Sequence, residues 1–155
     1  MANIMKAKDA VAASLAECYV TIDGNRYNFM HAINLEAAVE KTKTEVPILG
    51  KTGKGNKASG WKGTGSATFH YNTSVFRELL TKYKNSGEDT YFDIMVINED
   101  KTSAVGRQTV ILKDCNVDGG VLAKFDTEAE YLDEEMDFTF EDWEIPEKFT
   151  PLEGM

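Results

Sequence analysis

Residues 37–65, AAVEKTKTEVPILGKTGKGNKASGWKGTG, decide which fold the chain adopts. Their first part, Ala37 to Ile48, is rich in β-branched and charged residues, and neither face of it is convincingly apolar. Their second part, residues 50–65, holds six glycines and four lysines and cannot pack a core. We therefore predict a strand that is wet on both sides, or covered only by a partner, and then a mobile loop over residues 50–65.

A hairpin precedes this stretch and a helix follows it. Residues 17–22 alternate apolar and polar, and Asp23-Gly24-Asn25 then supplies the positive-φ positions of a tight turn. Further on, the apolar residues between Val75 and Tyr83 fall on a single helical stripe. Gly87 is placed to end that helix, because glycine adopts the left-handed conformation of a helix C-terminus without strain.

Strands complete the predicted domain. After the helix they are predicted at residues 91–98, 107–113, 121–125 and 136–140. With those before it the total is about seven strands around one flanking helix, a mainly-β (α+β) barrel or sandwich. The domain spans residues 1–155, with an N-terminal arm at residues 1–16 and a C-terminal tail at residues 146–155.

Composition narrows the function. The formal net charge of −9 at pH 7 argues against an open nucleic-acid-binding surface, because phosphate contacts need clustered Lys and Arg. No long apolar run predicts a membrane anchor, and Asp9 interrupts the only segment that resembles a signal peptide. Cys18 and Cys115 lie far apart and are typical of reduced, buried thiols, so we predict a cytoplasmic protein.

Nucleotide and metal motifs fail on spacing. Gly50-Lys51-Thr52 matches the end of a P-loop, but Glu45 stands where the first glycine is required. Gly53 to Ala58 fits the loose dinucleotide pattern without a helix to follow it. The two histidines and two cysteines match no common zinc spacing; they are His31, His70, Cys18 and Cys115. No paired base and nucleophile is present either, so we predict neither cofactor nor metal, and no enzyme.

Charge is divided along the chain. Four lysines and an aromatic residue occupy the predicted loop: Lys51, Lys54, Lys57, Trp61 and Lys62. An acidic run with Asp133, Glu134 and Glu135 at its centre lies in the last third of the chain. These are either two unrelated solvated patches or the two halves of a head-to-tail contact between copies, which builds rings or filaments.

Several segments resemble a known family when they are taken in order. They are EVPILGK at residues 45–51, GWKGTGSATFHY at 60–71, YFDIMVINED at 91–100, GRQTVILKDC at 106–115 and FTFEDW at 138–143. In this order and spacing they resemble the XkdM-like tail tube proteins of PBSX-type defective prophages and contractile-tailed phages. The resemblance covers roughly residues 15–145.

The resemblance implies a structural subunit with a fold like that of the Hcp tubes of type VI secretion. Six copies would form a ring, and stacked rings a hollow tube within a contractile sheath. DNA passes through such a tube in a phage, whereas in a headless bacteriocin-like particle the tube perforates the target envelope. Other partners implied are the sheath, tape measure, baseplate and tail terminator proteins. Assembly is expected in the host cytoplasm, and the product in the particle tail.

With this assembly in view, the strand at residues 37–48 is expected to line the lumen, with Glu40, Lys41, Lys43 and Glu45 as the lumen candidates. The runner-up is a monomeric small-ligand-binding β-barrel, which predicts an apolar cavity. A nucleic-acid binder that uses the basic loop predicts salt-dependent DNA binding. Rings or filaments on size exclusion and in negative stain are expected of the tube protein alone among these classes.

Overall fold

The computed structural model describes residues 4–12, 15–28 and 32–152, and its architecture is mainly β. A short 3₁₀ turn at Ala7–Asp9 precedes eight strands and one helix. Their bounds are Ala16–Ile22 (β1), Asn25–Asn28 (β2), Ala32–Pro47 (β3), Lys54–His70 (β4), Val75–Ser86 (α1), Phe92–Glu99 (β5), Arg107–Val117 (β6), Asp133–Phe140 (β7) and Asp142–Glu147 (β8). The predicted mainly-β class with one helix is confirmed.

The strands form one antiparallel system with two ends. Their order is β2-β1-β5-β6-β7-β4-β3, and β8 pairs with β6 beside this path. In the described part of the chain the sheet does not close on itself, so the barrel that was one form of the prediction is not formed. β2 and β3 are therefore the two ends of this path, and β2, β3 and β8 each have one strand partner among the described residues.

A bend in β6 lets the sheet fold over its own core. Asp114 lies there with a positive φ of 52°, and its backbone N–H donates to the Asp93 carboxylate over 3.2 Å. Before the bend β6 pairs with β5 and β8, and after it Asn116 and Val117 pair with β7. One strand thus belongs to two layers, and the layers enclose the buried side chains between them.

Aromatic side chains dominate the core. Phe69, Phe138 and Ile94 are among the largest side chains that are fully buried. Helix α1 covers one end of this core through Phe76, whose ring centroid lies 5.4 Å from that of Phe69 and 6.0 Å from that of Phe92. The predicted alternation of β7 is also confirmed, since its even-numbered residues from Glu134 to Phe140 are all buried.

The terminal segments meet at the turn between β5 and β6. The backbone N–H of Ala12 donates to the Asp100 carboxylate over 3.1 Å. From the other end of the chain, the Thr150 N–H donates to the Val105 carbonyl over 2.6 Å. Both described terminal segments are therefore held by one turn. Only parts of the predicted N-terminal arm (1–16) and C-terminal tail (146–155) lie within the described residues.

Three of the local predictions are confirmed by backbone geometry. Asp23 and Gly24 have φ of 51° and 81° in the two-residue turn between β1 and β2. Helix α1 ends at Gly87, whose φ is 72° and whose N–H donates to the Tyr83 carbonyl over 2.8 Å. The predicted central strand at residues 91–98 is β5, which pairs with both β1 and β6.

Two strand predictions are corrected. Residues 121–125 are not a strand, because the whole connection from residue 118 to residue 132 lacks regular secondary structure. The strand β8, which follows β7 directly, is absent from the prediction; it lies in the acidic end of the chain, and all six of its residues are exposed. The backbone of β8 is hydrogen-bonded to β6. The strand can therefore form without an apolar pattern on both of its faces.

The predicted irregular loop at residues 50–65 is also corrected. From Lys54 onwards this segment is part of β4, and only residues 48–53 turn. The glycines fit a strand because large rings lie over two of them. Gly63 pairs with Phe140 and Gly65 with Phe138, and a Cβ placed on either glycine would lie 2.4 or 2.3 Å from the partner ring. These glycines make room for core aromatics.

We predict that Gly65→Ala destabilises the fold by about 1–3 kcal/mol, because the added methyl forces the buried Phe138 ring to move. Thermal or urea unfolding measures this change. Gly60→Ala is the matched control, since a Cβ at Gly60 meets no atom within 4 Å, and its stability should stay within about 0.5 kcal/mol of the wild type. Equal effects of the two substitutions would contradict the role given to the ring.

Candidate assembly surfaces

The most prominent surface is a projecting hairpin, residues 40–62, which we call the arm. Its strands β3 and β4 pair with each other along the whole arm, but β4 meets β7 only from Gly63 to His70. The arm is therefore a two-stranded ribbon, and all residues from 36 to 54 are exposed. Such a ribbon is marginally stable by itself, and β-branched residues such as Thr42, Thr44 and Val46 supply its strand propensity.

The end of the arm is apolar and basic. The turn there has Gly50 at a φ of 84°, and the Lys51 N–H donates to the Ile48 carbonyl over 3.2 Å. This turn leaves Leu49 fully exposed and Ile48 42% exposed. Apolar side chains grouped at an exposed tip are typical of a contact surface.

Three of the five predicted basic-loop residues lie together near this tip. Lys51 is in the turn, and Lys54 and Lys57 follow on the first residues of β4. Lys54 lies 3.7 Å from the Glu45 carboxylate, but both side chains are well exposed, so this pair neutralises little. The other two, Trp61 and Lys62, lie at the base of the arm next to Gly63 and do not belong to the tip.

The four lumen candidates are divided between two faces of the arm. Cross-strand partners share a face, so Glu40 lies with Lys62, and Lys41 lies with Trp61 on the opposite side. Lys43 and Glu45 follow Lys41 by the two-residue period of a strand. The face of Trp61 is the one that leads into the core, because its ring centroid lies 6.4 Å from that of the buried Phe140. Only Glu40 lies on the opposite, outer face.

That outer face continues as a polar surface across β3, β4 and β7. Glu36, Ser66 and Asp137 are in register on the three strands. With Asp118 they line a 430 Å³ groove. Glu135 lies on the same face, two residues before Asp137, and is exposed. The strand that the sequence predicts to be solvent-exposed on both faces, at residues 37–48, thus has one polar, mostly acidic face that extends into the body of the domain.

An aromatic cluster occupies the base of the arm on its other face. The ring centroids of Trp61 and Trp143 lie 4.9 Å apart in an edge-to-face arrangement, and that of Phe140 lies 6.5 Å from Trp143. Edge-to-face aromatic pairs contribute about 0.5–1.5 kcal/mol beyond their burial. Trp61 is one of the residues predicted for the contact between copies. In this structure it packs against β8 of its own subunit and anchors the arm.

The free edge of β3 is the longest unpaired backbone edge of the sheet. Among the described residues β3 pairs with β4 alone, over 16 residues. Its other edge presents N–H and C=O groups that have no strand partner, which is a template for pairing with another chain. No proline lies within residues 36–46, although the register with β4 shifts between Thr42 and Lys43.

The three predicted acidic partners have different environments. Glu134 is buried on β7 and forms an ion pair with Arg77 of α1, so its carboxylate is unavailable to a second subunit. Asp133 is paired with Lys124 over 3.1 Å. Glu135 alone of the three is exposed. The acidic run is also partly neutralised by two other ion pairs, Lys113–Glu144 and Arg107–Glu147.

Arg77 acts as a brace. Its guanidinium lies over the Tyr71 ring, 4.4 Å from the centroid, and donates to the carbonyl oxygens of Thr73 and, over 3.4 Å, Val121. With Glu134 it therefore joins α1 and β7 to the start of the irregular connection. This pair was missed in the sequence because its partners are 57 residues apart.

We predict that Arg77→Met costs about 3 kcal/mol of unfolding free energy, because it leaves the Glu134 carboxylate buried without its counter-charge. Chemical denaturation of the purified protein measures this. Lys124→Met, which breaks the more exposed pair with Asp133, is the control and should cost less than about 1 kcal/mol. The assignment of Arg77 as a brace would be wrong if both variants were equally stable.

The irregular connection carries a second exposed apolar surface, residues 122–131, which we call the acidic–aromatic loop. Leu122, Phe125 and Tyr131 are 69%, 87% and 62% exposed. Three carboxylates alternate with small residues between the two rings, and they are Asp126, Glu128 and Glu130. The sequence offered a signal for this loop, since its apolar residues follow neither the strand nor the helix period.

Within the described residues, neither the glycine-rich motifs nor the candidate zinc ligands form a site. Gly50-Lys51-Thr52 lies in a turn that leads into a strand, so no helix N-terminus is available for a phosphate. His31 lies outside the described residues, and within them no group of three metal-ligating side chains forms. Burial raises the pKa of Cys18 to about 11 and that of Cys115 to about 12. Both thiols are therefore protonated at neutral pH and are poor ligands and nucleophiles.

A 670 Å³ cavity lies on the unclosed side of the sheet, between β1 and the first residues of β3. Glu17, Asn34 and Asn98 line it together with Cys18 and Leu35, so the lining mixes polar and apolar groups. Its wall is incomplete because the two strands do not pair within the described residues, and this cavity is not the enclosed apolar one that a ligand-binding barrel predicts. No helix in the described ranges is both long and apolar enough to cross a membrane.

Comparison with known proteins gives one consistent result. The family model described as "Phage tail tube protein" matches residues 3–147. The Bacillus subtilis (strain 168) phage-like element PBSX protein XkdM is 38% identical over 146 residues, which is 94% of this chain and 97% of that protein.

Solved structures extend the similarity to the fold. A chain of the anti-feeding prophage baseplate, solved with 6-fold symmetrisation, superposes with a TM-score of 0.64 over 88% of this chain and 95% of its own length, at 9% identity. Hcp1 from Flavobacterium johnsoniae superposes with a TM-score of 0.51 over 86% of this chain and 98% of its own, at 14% identity. The predicted fold type, that of tail tubes and Hcp, is confirmed.

Proposed function

The chain belongs to the phage tail tube protein family, and we propose that its copies form stacked six-membered rings that enclose a channel for DNA. It is a structural subunit of a tail tube and not an enzyme. The ring number comes from the family resemblance, and the 6-fold symmetrised baseplate that shares the fold supports it.

The free edge of β3 is the observation that carries the ring. The main path of the sheet ends in β2 and β3, and each has an unpaired edge in the described chain. Joining β3 of one subunit to β2 of the next continues the sheet and leaves the same two edges free at the ends of the pair. Such a heterologous contact repeats until the rotation closes a ring. Closure pairs the edge of β2, which has 4 residues, with part of the longer edge of β3, which has 16.

The polar face of β3, β4 and β7 is the surface that we assign to the lumen. It carries Glu36, Glu135 and Asp137, with Glu40 on the arm. Acidic side chains repel the phosphate backbone, so DNA passes without being bound. Of the four residues predicted to line the lumen, Glu40 lies on this face. Lys41, Lys43 and Glu45 lie on the opposite face of the arm.

The remaining partners follow from the position of a tube within a tail. We propose that the outer surface of the tube meets the sheath, that its lumen holds the tape measure protein, and that its two ends meet the baseplate and the tail terminator. Assembly takes place in the host cytoplasm and the product is part of the particle. The family and the shared fold support these partners.

Assembly itself is the first test. We expect the purified chain to give rings about six subunits in size, and then tubes, as its concentration rises. Size exclusion with light scattering measures the mass, and negative-stain microscopy shows the shape. A chain that stays monomeric at every soluble concentration, with and without a tail initiator complex, would contradict the proposal.

Hydrogen exchange tests the edge of β3. In the monomer the amides of residues 36–46 that point away from β4 are open to solvent, and pairing with a neighbour should slow their exchange at least about tenfold. Peptides from α1, residues 75–86, are the control and should exchange alike in monomer and tube. Unchanged exchange along β3 in assembled tubes would sink the assignment of this edge to the ring contact.

A further inference from the structure

We propose that the rings stack by docking the tip of the arm of one copy on the acidic–aromatic loop of a copy in the next ring. The tip comprises residues 46–57, and the acidic–aromatic loop comprises residues 122–131. This inference rests on the proposed function, because it names the contact that joins one ring to another. Its two halves are surfaces that the ring contact through β3 leaves exposed.

The two surfaces match in chemistry. Leu49 is fully exposed at the tip, and Lys51, Lys54 and Lys57 follow it within residues 46–57, which include no acidic residue. Phe125 is the most exposed aromatic of the loop, at 87%, and three carboxylates follow it in the sequence at residues 126, 128 and 130. An apolar centre with a charged rim is the usual anatomy of a specific protein interface. The opposite signs of the two rims set the register of the contact.

The local ion pairs leave these charges available. The one base in the loop is Lys124, and its ammonium is held by Asp133, with an N–O distance of 3.1 Å. The loop carboxylates of Asp126, Glu128 and Glu130 therefore stay uncompensated by that lysine. At the tip, Glu45 lies 3.7 Å from Lys54 alone, which leaves the charges of Lys51 and Lys57 free to bind a partner.

The geometry makes the contact intermolecular. The tip includes the first residues of β4, and the acidic–aromatic loop adjoins the last residue of β4, where the ring centroids of Tyr131 and His70 lie 5.3 Å apart. β4 has 17 residues, and at about 3.3 Å per residue its two ends lie up to about 50 Å apart. The tip of a subunit therefore cannot contact the acidic–aromatic loop of the same subunit. Contacts between opposite ends of identical copies are heterologous, and along the strand direction they build an open stack.

Charge reversal tests this docking on the full chain. The tip variant is Lys51→Glu with Lys54→Glu and Lys57→Glu, and the loop variant is Asp126→Lys with Glu128→Lys and Glu130→Lys. Each juxtaposes like charges and should raise the concentration at which tubes form about 100-fold or more. Single rings should still form, because the β3 edge is untouched. The variant with all six reversals should assemble within about threefold of the wild-type concentration, since opposite charges face each other again.

The control changes the same charge elsewhere. Lys82→Glu with Lys84→Glu and Lys101→Glu alters three exposed lysines outside both surfaces, and it should leave assembly unchanged. Circular dichroism and the melting temperature verify that every variant folds. The measurements are sedimentation of assembled protein against concentration, and microscopy that distinguishes single rings from tubes.

Cross-linking provides an independent measurement. Leu49→Cys protein mixed with Phe125→Cys protein should give a disulfide-linked dimer on mild oxidation when tubes form, and none in dilute monomer. The native thiols do not compete, because burial raises the pKa of both. Leu49→Cys mixed with Tyr83→Cys, on the exposed part of α1, is the matched control.

The outcomes separate the two proposals. If wild-type protein forms neither rings nor tubes, the proposed function fails. If the wild type forms tubes and the charge-reversed variants stack equally well, the docking is overturned while the tube function stands. The same holds if the variant with all six charge reversals does not regain stacking. Selective loss of tubes with rings retained, followed by restoration in the combined variant, supports the docking.

Discussion

The structure depends on where the pairing between β4 and β7 stops. From His70 back to Gly63, β4 lies between two strands, and the rings of Phe138 and Phe140 cover the glycines opposite them. Beyond Gly63 the strand has β3 as its sole partner among the described residues, and the ribbon of the arm leaves the body of the domain. This boundary divides one strand into a half that builds the core and a half that is free to contact other copies.

The same boundary explains how a small domain carries so much exposed strand. The base of the arm is held by the cluster of Trp61, Trp143 and Phe140, and the opposite end of the sheet is braced by the Arg77–Glu134 pair. Between them the core is independent of assembly, because its aromatic side chains are already buried in one chain. The exposed edge, the tip and the acidic–aromatic loop, which we propose for association, lie outside this buried core.

Sequence reasoning recovered the elements whose cause is local. The turn at Asp23-Gly24, the helix that ends at Gly87 and the alternation of Met136, Phe138 and Phe140 follow from backbone preferences and periodicity, and all are present. It failed where the cause is distant in sequence. The glycines near Gly65 look like a loop until Phe138, over 70 residues later, is seen to lie on them, and Glu134 looks solvated until α1 brings Arg77 against it.

By itself the sequence determined the class of the protein: a mainly-β domain of the tail tube family, whose motifs, in their order and spacing, carried that resemblance, and whose charge is divided between two segments. Only the tertiary structure decided which residues are available for assembly. A strand has two faces and two edges, and the pattern of side chains along it does not say which of them a distant segment covers. The pairing of β4 with β7 made that choice. It buried one face and left an edge, a tip and a polar face open.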